Sequence, residues 1–358
     1  MEQATAGGLA ERLGGAALGA YELLTVYLGH KLGLYRALAD RGDATAADLA
    51  KATGTNERYS REWLEQQAVA GILAVDNSAA APEGRRYSIP AGHEEVLLDP
   101  ESLAYIVPMA RFAVSFTSAL PAVEEAFRGG GGVAWTTYGA EGREAQAGAN
   151  RPQFAHLLAS EWLPAMADVH ARLSAEPPAA VADVACGAGW SSIALAHAYP
   201  TATVDGYDVD EASVELARAN AAEAGLGDRV RFHARDAGDP ELAGRYDLVT
   251  IFESVHDMSR PVEVLEAVRG LAGEDGAVLV VDEKVADAFE APGDEVERLM
   301  YTYSVLCCLP VGMSETPSAA TGTVMRTDTL RGYALAAGFT GLEVLPVEHD
   351  FFRLYRLS

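Results

Sequence analysis

The sequence predicts an α/β fold in which a helical N-terminal region precedes a doubly wound sheet. From about residue 180 onward, short apolar runs alternate with alanine-rich stretches of helical character. The first run, VADVA, ends in a Gly-x-Gly turn, and a second run, TATVDGY, follows the next alanine-rich stretch. Near the C-terminus, LEVLPVEHD and FFRLYRL are suited to an antiparallel hairpin. Alternating strands and helices are typical of a parallel sheet with helices on both faces.

The turn after the first strand has the spacing of a nucleotide-binding loop. Gly187 and Gly189 form the Gly-x-Gly turn, and Asp208 follows Gly189 by 19 residues, at the end of the second β-like run. Glycines let the backbone pass close to a ligand, and an acid at this position accepts hydrogen bonds from ribose hydroxyls. We therefore expect a Rossmann-like domain with a nucleotide-type ligand at this loop.

Three residues around the turn argue against a dinucleotide. Ser192 stands where the dinucleotide pattern has its third glycine, and the bulky Trp190 follows the second glycine. Asp183 lies before the turn, where a carboxylate repels a pyrophosphate but suits the cationic methionyl group of S-adenosylmethionine. We therefore expect S-adenosylmethionine as the cofactor, and a nicotinamide-dependent reductase is the more distant alternative.

Residues from about 180 to 285 resemble a class I S-adenosylmethionine-dependent methyltransferase domain. Beyond the glycine turn, the resemblance includes the segments RVRFHARDA (229–237), RYDLVTIFESVHD (245–257) and GAVLVVDEKV (276–285). It implies a sheet with the strand order 3-2-1-4-5-7-6, in which the last strand is antiparallel. One departure is Ala185, where the family usually has glycine.

The resemblance also assigns roles in cofactor binding. Asp208 is expected to bind the ribose and Asp236 the adenine, while the glycine turn lines the methionine part. The full set of candidate cofactor-binding residues is Asp183, Gly187, Gly189, Asp208, Asp236, Ala237 and Glu253.

The catalytic group is expected at the end of the fourth strand of this domain. There, the segment ESVHD resembles the His-Asp-Trp segment of small-molecule O-methyltransferases, whose histidine is the general base. Imidazole suits that role because its ordinary pKa, about 6.5, lies near neutral pH. The resemblance makes His256 the base, Asp257 the adjacent acid and Glu283 a carboxylate that braces the histidine.

This catalytic segment departs from the family pattern at two places. Met258 replaces the tryptophan, and a second bracing glutamate expected near the segment GTVMRT is missing. Glu253 or Glu315 is an alternative brace, and a purely structural role for His256 also stays open. The scattered histidines and the absence of a Cys-x2-Cys pair predict no metal site.

Composition and charge exclude several classes of protein. The formal net charge of −25 disfavours binding to nucleic acid or to an anionic membrane. The sequence has no run of about 18 apolar residues, and its first residues lack a basic region followed by an apolar core, so we expect neither a membrane span nor a signal peptide. Three cysteines without a pairing pattern fit a reducing compartment, and we expect a cytoplasmic enzyme.

The N-terminal region has the pattern of a winged helix. Residues 44–73 predict a helix, a tight turn at Gly54 and a second helix, and the segments ILAVD and RRYSI predict a two-stranded wing. The second helix carries no net positive charge, which is a poor footprint for DNA phosphates. The chain resembles the many small-molecule O-methyltransferases whose winged helix serves dimerisation, so we expect a homodimer.

We divide the chain into three regions on this basis. Residues 1–105 are expected to form the winged-helix dimerisation domain, residues 106–175 a helical linker or lid, and residues 176–358 the catalytic domain. Within the linker, the glycine-rich stretch 128–150 is expected to be exposed or irregular. The segment that follows it reads as a pair of helices interrupted at Pro164.

The favoured function is methyl transfer from S-adenosylmethionine to a small-molecule acceptor, most simply a hydroxyl of a secondary-metabolite-like compound. One alternative is a C- or N-methyltransferase, or another enzyme that uses S-adenosylmethionine on the same fold. A second alternative is a transcriptional regulator that senses a ligand through a methyltransferase-like domain, against which the acidic N-terminal region counts.

Overall fold

A computed structural model describes residues 5–239, 242 and 245–358. The chain divides into two compact units. The first unit contains residues Met1–Thr117 and Glu144–Pro152, and the second contains Ser118–Arg143 and Gln153–Ser358. Within the described residues, no helix combines the length and the apolar character that a membrane span requires.

The first unit contains the predicted winged helix. Its elements are α1 (Ala6–Lys31), α2 (Leu34–Arg41), α3 (Ala46–Thr53), α4 (Glu57–Val69), β1 (Ala74–Val75), β2 (Tyr87–Ser88) and α5 (His93–Leu98). The turn between α3 and α4 is made by Gly54, whose φ is 68°. Strands β1 and β2 pair antiparallel and form the wing. The helix-turn-helix and the wing are therefore confirmed.

Helices α1, α2 and α4 of this unit pack around a small aromatic core. Tyr35 and Trp63 meet edge to face with their ring centroids 5.0 Å apart. Gly29 is required at this contact because a Cβ there would collide with both rings. The outer side of α1 has no such cover, since the side chains of Leu13 and Tyr21 are 54% and 67% exposed. This helix therefore presents an apolar surface.

The stretch 128–150 is irregular only in its first part, where residues 130–134 form no regular element and are mostly exposed. Helix α6 (Val107–Gly129) ends at the glycine run, where Gly130 and Gly131 adopt positive φ. Residues Gly139–Gln153 then form α7. The alanine, glutamate, arginine and glutamine residues of this segment favour a helix strongly enough to outweigh its glycines. The prediction was therefore wrong for the part from Gly139 onward, because it weighted glycine content above helix propensity, whereas the glycine run is exposed and irregular as expected.

The break predicted at Pro164 is present. Residues Phe154–Trp162 form a π-helical segment, and Leu163–Ala165 form a short 3-10 turn before α8 (Ala167–Leu173). Pro164 lies in that turn, since its ring cannot continue a regular helix.

The second unit is built on a seven-stranded sheet. Its strands are β3 (Ala180–Val184), β4 (Thr203–Asp208), β5 (Val230–Ala234), β6 (Leu248–Phe252), β7 (Ala277–Glu283), β8 (Leu342–Val344) and β9 (Phe352–Leu357). The order in space is β5-β4-β3-β6-β7-β9-β8. Strand β9 runs antiparallel to both β7 and β8, and the pairs formed by the other strands are parallel. The predicted order 3-2-1-4-5-7-6, with its antiparallel last strand, is confirmed.

Helices cover both faces of this sheet. Helices α9 (Trp190–Ala198) and α10 (Glu211–Glu223) pack with one apolar cluster of the sheet, and α11 (Pro261–Ala272) and α14 (Thr327–Ala336) pack with the other. Between β7 and α14, the chain also forms α12 (Glu295–Tyr303) and α13 (Leu309–Gly312). Along β7, Leu279 and Val281 belong to one apolar cluster while Val278 and Val280 belong to the other. This alternation is expected of a strand buried on both faces.

The strand order fixes where a ligand fits. The chain leaves β3 toward its neighbour β4 and leaves β6 toward its other neighbour β7, so the two connections diverge. In doubly wound sheets, such a divergence opens a crevice at the carboxyl ends of the two central strands. The ends of β3 and β6 are therefore the place to look for a site.

Candidate active site at the carboxyl edge of the sheet

The loop after β3 depends on left-handed backbone conformations. Ala185, Gly187 and Gly189 have φ values of 56°, 50° and 80°. At Gly189, a Cβ would also lie 2.5 Å from the ring of Phe232 and 2.9 Å from Ala217 Cβ, so only glycine fits. Ala185 holds the same region without being glycine, which costs about 1 kcal/mol of backbone strain. The loop that the Gly-x-Gly pattern predicted is therefore present.

Asp208, at the end of β4, ties this loop to the neighbouring strand. Its Oδ2 accepts a hydrogen bond from the backbone N of Gly187 at 2.9 Å, and its Oδ1 accepts one from the backbone N of Asp210 at 2.8 Å. Burial raises the pKa of this carboxyl above its ordinary range, although both backbone donors favour the ionised form. The structure thus brings Asp208 and the glycine loop together.

Asp183 lies beneath the loop and is fully buried. Its carboxylate accepts hydrogen bonds from the hydroxyls of Ser191 and Ser192, both at 2.6 Å, and from that of Thr250 at 2.8 Å. Burial raises its pKa, and the three hydroxyls oppose that rise. Asp183 therefore fastens the start of α9 to β6, which explains the serines at the position of the third glycine.

Asp236 and Ala237 follow β5 at the same edge of the sheet. Asp236 Oδ1 accepts a hydrogen bond from the backbone N of Gly238 at 2.8 Å, and Oδ2 lies 3.7 Å from Nη2 of Arg260. The Asp236 side chain is 48% exposed, so it is open to a ligand, whereas Ala237 is buried. The backbone N of Arg235 donates to the carbonyl oxygen of Asp208, which joins this segment to the end of β4.

The opposite lip of the crevice begins where β6 ends. Glu253 has a φ of 48°, and its backbone N donates to Val281 O at 2.8 Å. Residues Val255–Asp257 then form one 3-10 turn that carries His256 inward. The positive φ of Glu253 strains the backbone, because residues other than glycine seldom adopt it. The chain changes direction here, between the end of β6 and the 3-10 turn.

The His256 side chain is almost fully buried, with 2% exposed. Its Nδ1 lies 2.8 Å from Asp282 Oδ1 and 2.9 Å from Glu283 Oε2, both at the end of β7. The structure thus brings together His256 and Glu283, as the resemblance implied. Asp282 was missed, although the consecutive acids at the end of a predicted strand were the available signal. Asp282 is a second carboxylate beside the ring, but it lies at the end of β7 and not near the segment GTVMRT, while Glu315 pairs with Arg260.

Two carboxyl groups compete for one ring proton in this cluster. Burial alone would lower the pKa of His256, but Glu283 and Asp282 outweigh burial, and its pKa lies well above the ordinary value. Burial would raise the pKa of Asp282, but His256 holds it below its usual range. Burial raises the pKa of Glu283, and the charge of Asp282 adds to that rise. Asp282 is therefore the ionised partner of His256, and Glu283 keeps its proton to higher pH.

Within the described chain, His256, Asp282 and Glu283 are the one group whose potential metal-ligand atoms lie within 4.8 Å of one another. However, Nδ1 of His256 is already hydrogen-bonded to Asp282. We therefore assign these atoms to a proton-sharing cluster and not to a metal site.

Comparison with protein families agrees with this architecture. Residues 176–319 match a family described as a methyltransferase domain, and residues 20–98 match an Rv2258c-like winged helix-turn-helix domain. Among curated proteins, the ubiquinone biosynthesis O-methyltransferase of Bordetella avium is 36% identical over 100 residues, which are 27% of this chain and 40% of that protein. The ribosomal protein uL3 glutamine methyltransferase of Bradyrhizobium diazoefficiens is 39% identical over 69 residues, 19% of this chain and 22% of that protein. The chain thus matches less than half the length of either relative.

Solved structures resemble the whole chain. The mitomycin 7-O-methyltransferase MmcR has a TM-score of 0.68 at 19% identity, covering 98% of both chains. Human N-acetylserotonin methyltransferase, solved with S-adenosylmethionine, has a TM-score of 0.68 at 17% identity, covering 100% of this chain and 99% of its own. At these identities the likeness concerns the fold. The chain therefore carries a region that matches a methyltransferase domain, behind an N-terminal region that matches an Rv2258c-like winged helix-turn-helix domain, and the predicted fold is confirmed.

Proposed function

We propose that this protein transfers a methyl group from S-adenosylmethionine to a hydroxyl of a small-molecule acceptor. One observation carries the proposal. A glycine loop tied to Asp208 and a buried His256–Asp282–Glu283 cluster stand at the carboxyl ends of β3 and β6, the two central strands of the methyltransferase domain. The similar structures include a mitomycin 7-O-methyltransferase and an N-acetylserotonin methyltransferase, and these two enzymes support a small-molecule acceptor.

The residues at the loop fit the donor. A Cβ at Gly187 would enter open space, so the loop leaves room for a ligand on that side. The donor supplies an electrophilic methyl group when it is bound. We assign the ribose to Asp208 and the adenine to Asp236 beside Ala237, while Gly187, Gly189 and Glu253 line the methionine part. Asp183 acts as a positioning residue, because its carboxylate is fully engaged by three hydroxyls.

On the acceptor side, His256 is placed to take the proton of the hydroxyl. Its Nδ1 donates to Asp282, which fixes the tautomer and leaves the other ring nitrogen for the acceptor. Such proton transfer contributes about 10²- to 10⁴-fold in rate, and alignment of the reacting atoms supplies much of the rest. Asp257 closes the 3-10 turn that orients the ring.

The donor assignment is tested by calorimetric titration with S-adenosylhomocysteine, the demethylated donor. We expect binding by the wild type and a loss of about 10- to 100-fold in Asp208→Ala, since a charge-assisted hydrogen bond contributes about 1.5–3 kcal/mol. His256→Gln is the matched control on the opposite lip and should bind the product as the wild type does. Absence of heat in the wild type would refute the proposal.

The acceptor is identified by mass spectrometry of ligands that co-purify with the chain. An O-methylated product, formed from such a ligand and S-adenosylmethionine, supports the proposal. A product methylated on nitrogen or carbon, with turnover unchanged in His256→Ala, would instead support the alternative acceptor chemistry.

We also propose that the protein is a cytoplasmic homodimer joined through the first unit. The exposed apolar side chains along α1 support this, because Leu9, Leu13, Leu18 and Tyr21 are each more than half exposed. Exposed apolar side chains on a soluble protein mark a contact surface when they lie together. Light scattering by the full chain measures the oligomeric state directly, and a monomer at micromolar concentration would contradict the proposal.

A further inference from the structure

The segment Gly132–Tyr138, which we call the strap, lies between α6 and α7 and contacts the chain that follows α12. The residues directly after α12 form a π-helical turn, and α13 continues from it. The backbone N of Val133 donates to Pro310 O at 2.8 Å, and the hydroxyl of Tyr138 donates to Leu306 O at 2.8 Å. Both ends of the strap are therefore fixed to the π-helical turn and α13.

Only glycine fits at the first position of the strap. A Cβ at Gly132 would lie 2.2 Å from Met313 C and 2.3 Å from Pro310 O, and these are backbone atoms that cannot move aside alone. At Gly129, the first glycine of the same run, a Cβ would enter open space. The close approach at Gly132 is thus specific to its position in the run, and it lets the backbone N of Val133 reach its acceptor.

Helix α13 in turn packs against the segment that carries His256. A Cβ at Gly312, the last residue of α13, would lie 3.3 Å from Asp257 O. The carbonyl oxygen of Gly312 accepts a hydrogen bond from the Ser259 hydroxyl at 2.8 Å. Beyond α13, the backbone N of Gly322 donates to His256 O at 2.9 Å. These contacts join the turn of His256 to α13 and to the loop that follows it.

We propose that Gly132 is a positioning residue for methyl transfer: the docked strap holds α13, and α13 holds the turn that aims His256 at the acceptor. The proposal rests on the proposed function, in which His256 is the base. A misplacement of about 1 Å at the reacting atoms costs about 10²-fold in rate even when the substitution lies far from the chemistry. The strap is therefore able to control turnover without touching the acceptor.

The donor loop has its own supports. Asp208 accepts hydrogen bonds from the backbone N atoms of Gly187 and Asp210, and neither atom belongs to α13 or to the strap. Release of the strap should therefore lower turnover and leave donor binding unchanged. A general loss of structure would lower both.

The first measurement is turnover with the acceptor identified by mass spectrometry. In Gly132→Ala the strap cannot dock as it does in the wild type, so kcat should fall by about 10- to 100-fold. The dissociation constant of S-adenosylhomocysteine should stay unchanged. Gly129→Ala is the matched control, because its Cβ enters open space and Gly129 does not adopt a positive φ. Its kcat should equal that of the wild type.

Tyr138→Phe tests the other end of the strap and serves if Gly132→Ala does not fold. The variant keeps the aromatic ring and removes only the hydroxyl that donates to Leu306 O. Its kcat should fall by a few fold, less than in Gly132→Ala, because the backbone N of Val133 still holds the first end.

Hydrogen exchange followed by mass spectrometry measures the same connection without any turnover. The amide of Val133 donates to Pro310 O in the strap, and the amide of Gly322 donates to His256 O at the turn. In Gly132→Ala, the peptides that contain these two amides should both exchange about tenfold faster or more, since both local structures are loosened. The control variant should match the wild type in both peptides.

Three results would overturn the proposal. The first is faster exchange at Val133 with unchanged exchange at Gly322, because the strap would then undock without loosening the turn. The second is a wild-type kcat in Gly132→Ala, and the third is a loss of donor affinity as large as the loss of kcat. A wild type that does not bind S-adenosylhomocysteine contradicts the proposed function instead, and hydrogen exchange then still decides whether the strap holds the turn.

Discussion

The crevice has two sides: a donor lip, formed by Asp183, Asp208 and the glycine loop, and an acceptor lip, formed by His256, Asp282 and Glu283. Different kinds of interaction stabilise the two lips. On the donor lip, the carboxylates of Asp183 and Asp208 accept hydrogen bonds from hydroxyls and backbone N–H groups, and no charged partner is needed. On the acceptor lip, His256, Asp282 and Glu283 share protons in a buried cluster. The hydrogen bonds of the donor lip fix the conformation of a loop. The cluster of the acceptor lip holds a proton, and the pH determines which of its groups carries that proton. We therefore expect substitutions on the two lips to change different measured quantities.

The largest expected effect is a loss of turnover that is specific to the acceptor lip. If His256 takes the proton of the acceptor, His256→Gln should lower kcat by about 10²- to 10⁴-fold, since the glutamine amide cannot act as a base. The dissociation constant of S-adenosylhomocysteine should stay unchanged. Both quantities are measured with the acceptor found by mass spectrometry.

His170 provides the matched control for this comparison. It lies in the same unit, where its Nδ1 is 2.8 Å from the hydroxyl of Tyr199, away from the crevice. His170→Gln should therefore leave kcat within a few fold of the wild type. A kcat reduced less than tenfold in His256→Gln, with an O-methylated product, would show that His256 is a structural residue.

The second-largest expected effect is a loss of folding stability when Asp183 on the donor lip is replaced. Asp183→Ala leaves the buried hydroxyls of Ser191, Ser192 and Thr250 without their acceptor. Unfolding by denaturant at pH 7 should show a loss of about 2–4 kcal/mol in the free energy of unfolding of the second unit. Each hydroxyl that loses its acceptor stays buried without that hydrogen bond, and the missing carboxylate leaves a cavity. Both effects lower the free energy of unfolding.

Asp168 offers a control with the same residue type. Its carboxylate forms a bidentate pair with Arg356 and is 62% exposed, so Asp168→Ala should cost about 1 kcal/mol or less. Equal losses in the two variants would mean that the buried hydroxyls do not depend on Asp183.

The same contrast explains what the sequence predicts well. The donor lip is local: one turn, Gly187–Gly189, and one acid at a fixed offset define it, so spacing alone suffices. The strand order follows because strands and helices alternate regularly. Asp183 was assigned to the ligand because its position before the turn is visible in the sequence, whereas its three hydroxyl partners depend on the packing of α9 against β6.

The acceptor lip is assembled from segments far apart in the chain. Spacing cannot place His256 beside Asp282 and Glu283, because the turn after β6 and the end of β7 meet only through the packing of the two strands. Asp282 is adjacent to a predicted residue but was missed, because alternation along β7 predicts that consecutive side chains point to opposite faces, whereas both carboxyls contact His256. Helix α7 was missed for a local reason, its glycine content.

The smallest effect is a shift in pH dependence, and it tests the proton cluster itself. His256 must be neutral to act as a base, and Glu283 and Asp282 raise its pKa well above about 6.5. The value of kcat/KM should therefore rise with pH along a limb whose midpoint lies above pH 6.5. Asp282→Asn removes the ionised acceptor of the Nδ1 proton, so the pKa of His256 falls and the limb moves to lower pH by about one unit or more.

Glu283→Gln should move the limb in the same direction but by less. Because the pKa of Glu283 is raised, this carboxyl still carries its proton over part of the range and contributes less negative charge there than Asp282. Asp257, with a pKa raised to about 7 by burial, titrates in the same interval, so Asp257→Asn identifies its share of the profile. A larger shift in Glu283→Gln than in Asp282→Asn would reverse the assignment, because Glu283 would then be the ionised partner. If the pH dependence of kcat/KM is unchanged in both variants, the group whose titration controls kcat/KM is not His256. The acceptor lip would then serve, like the donor lip, only to hold its loops in place.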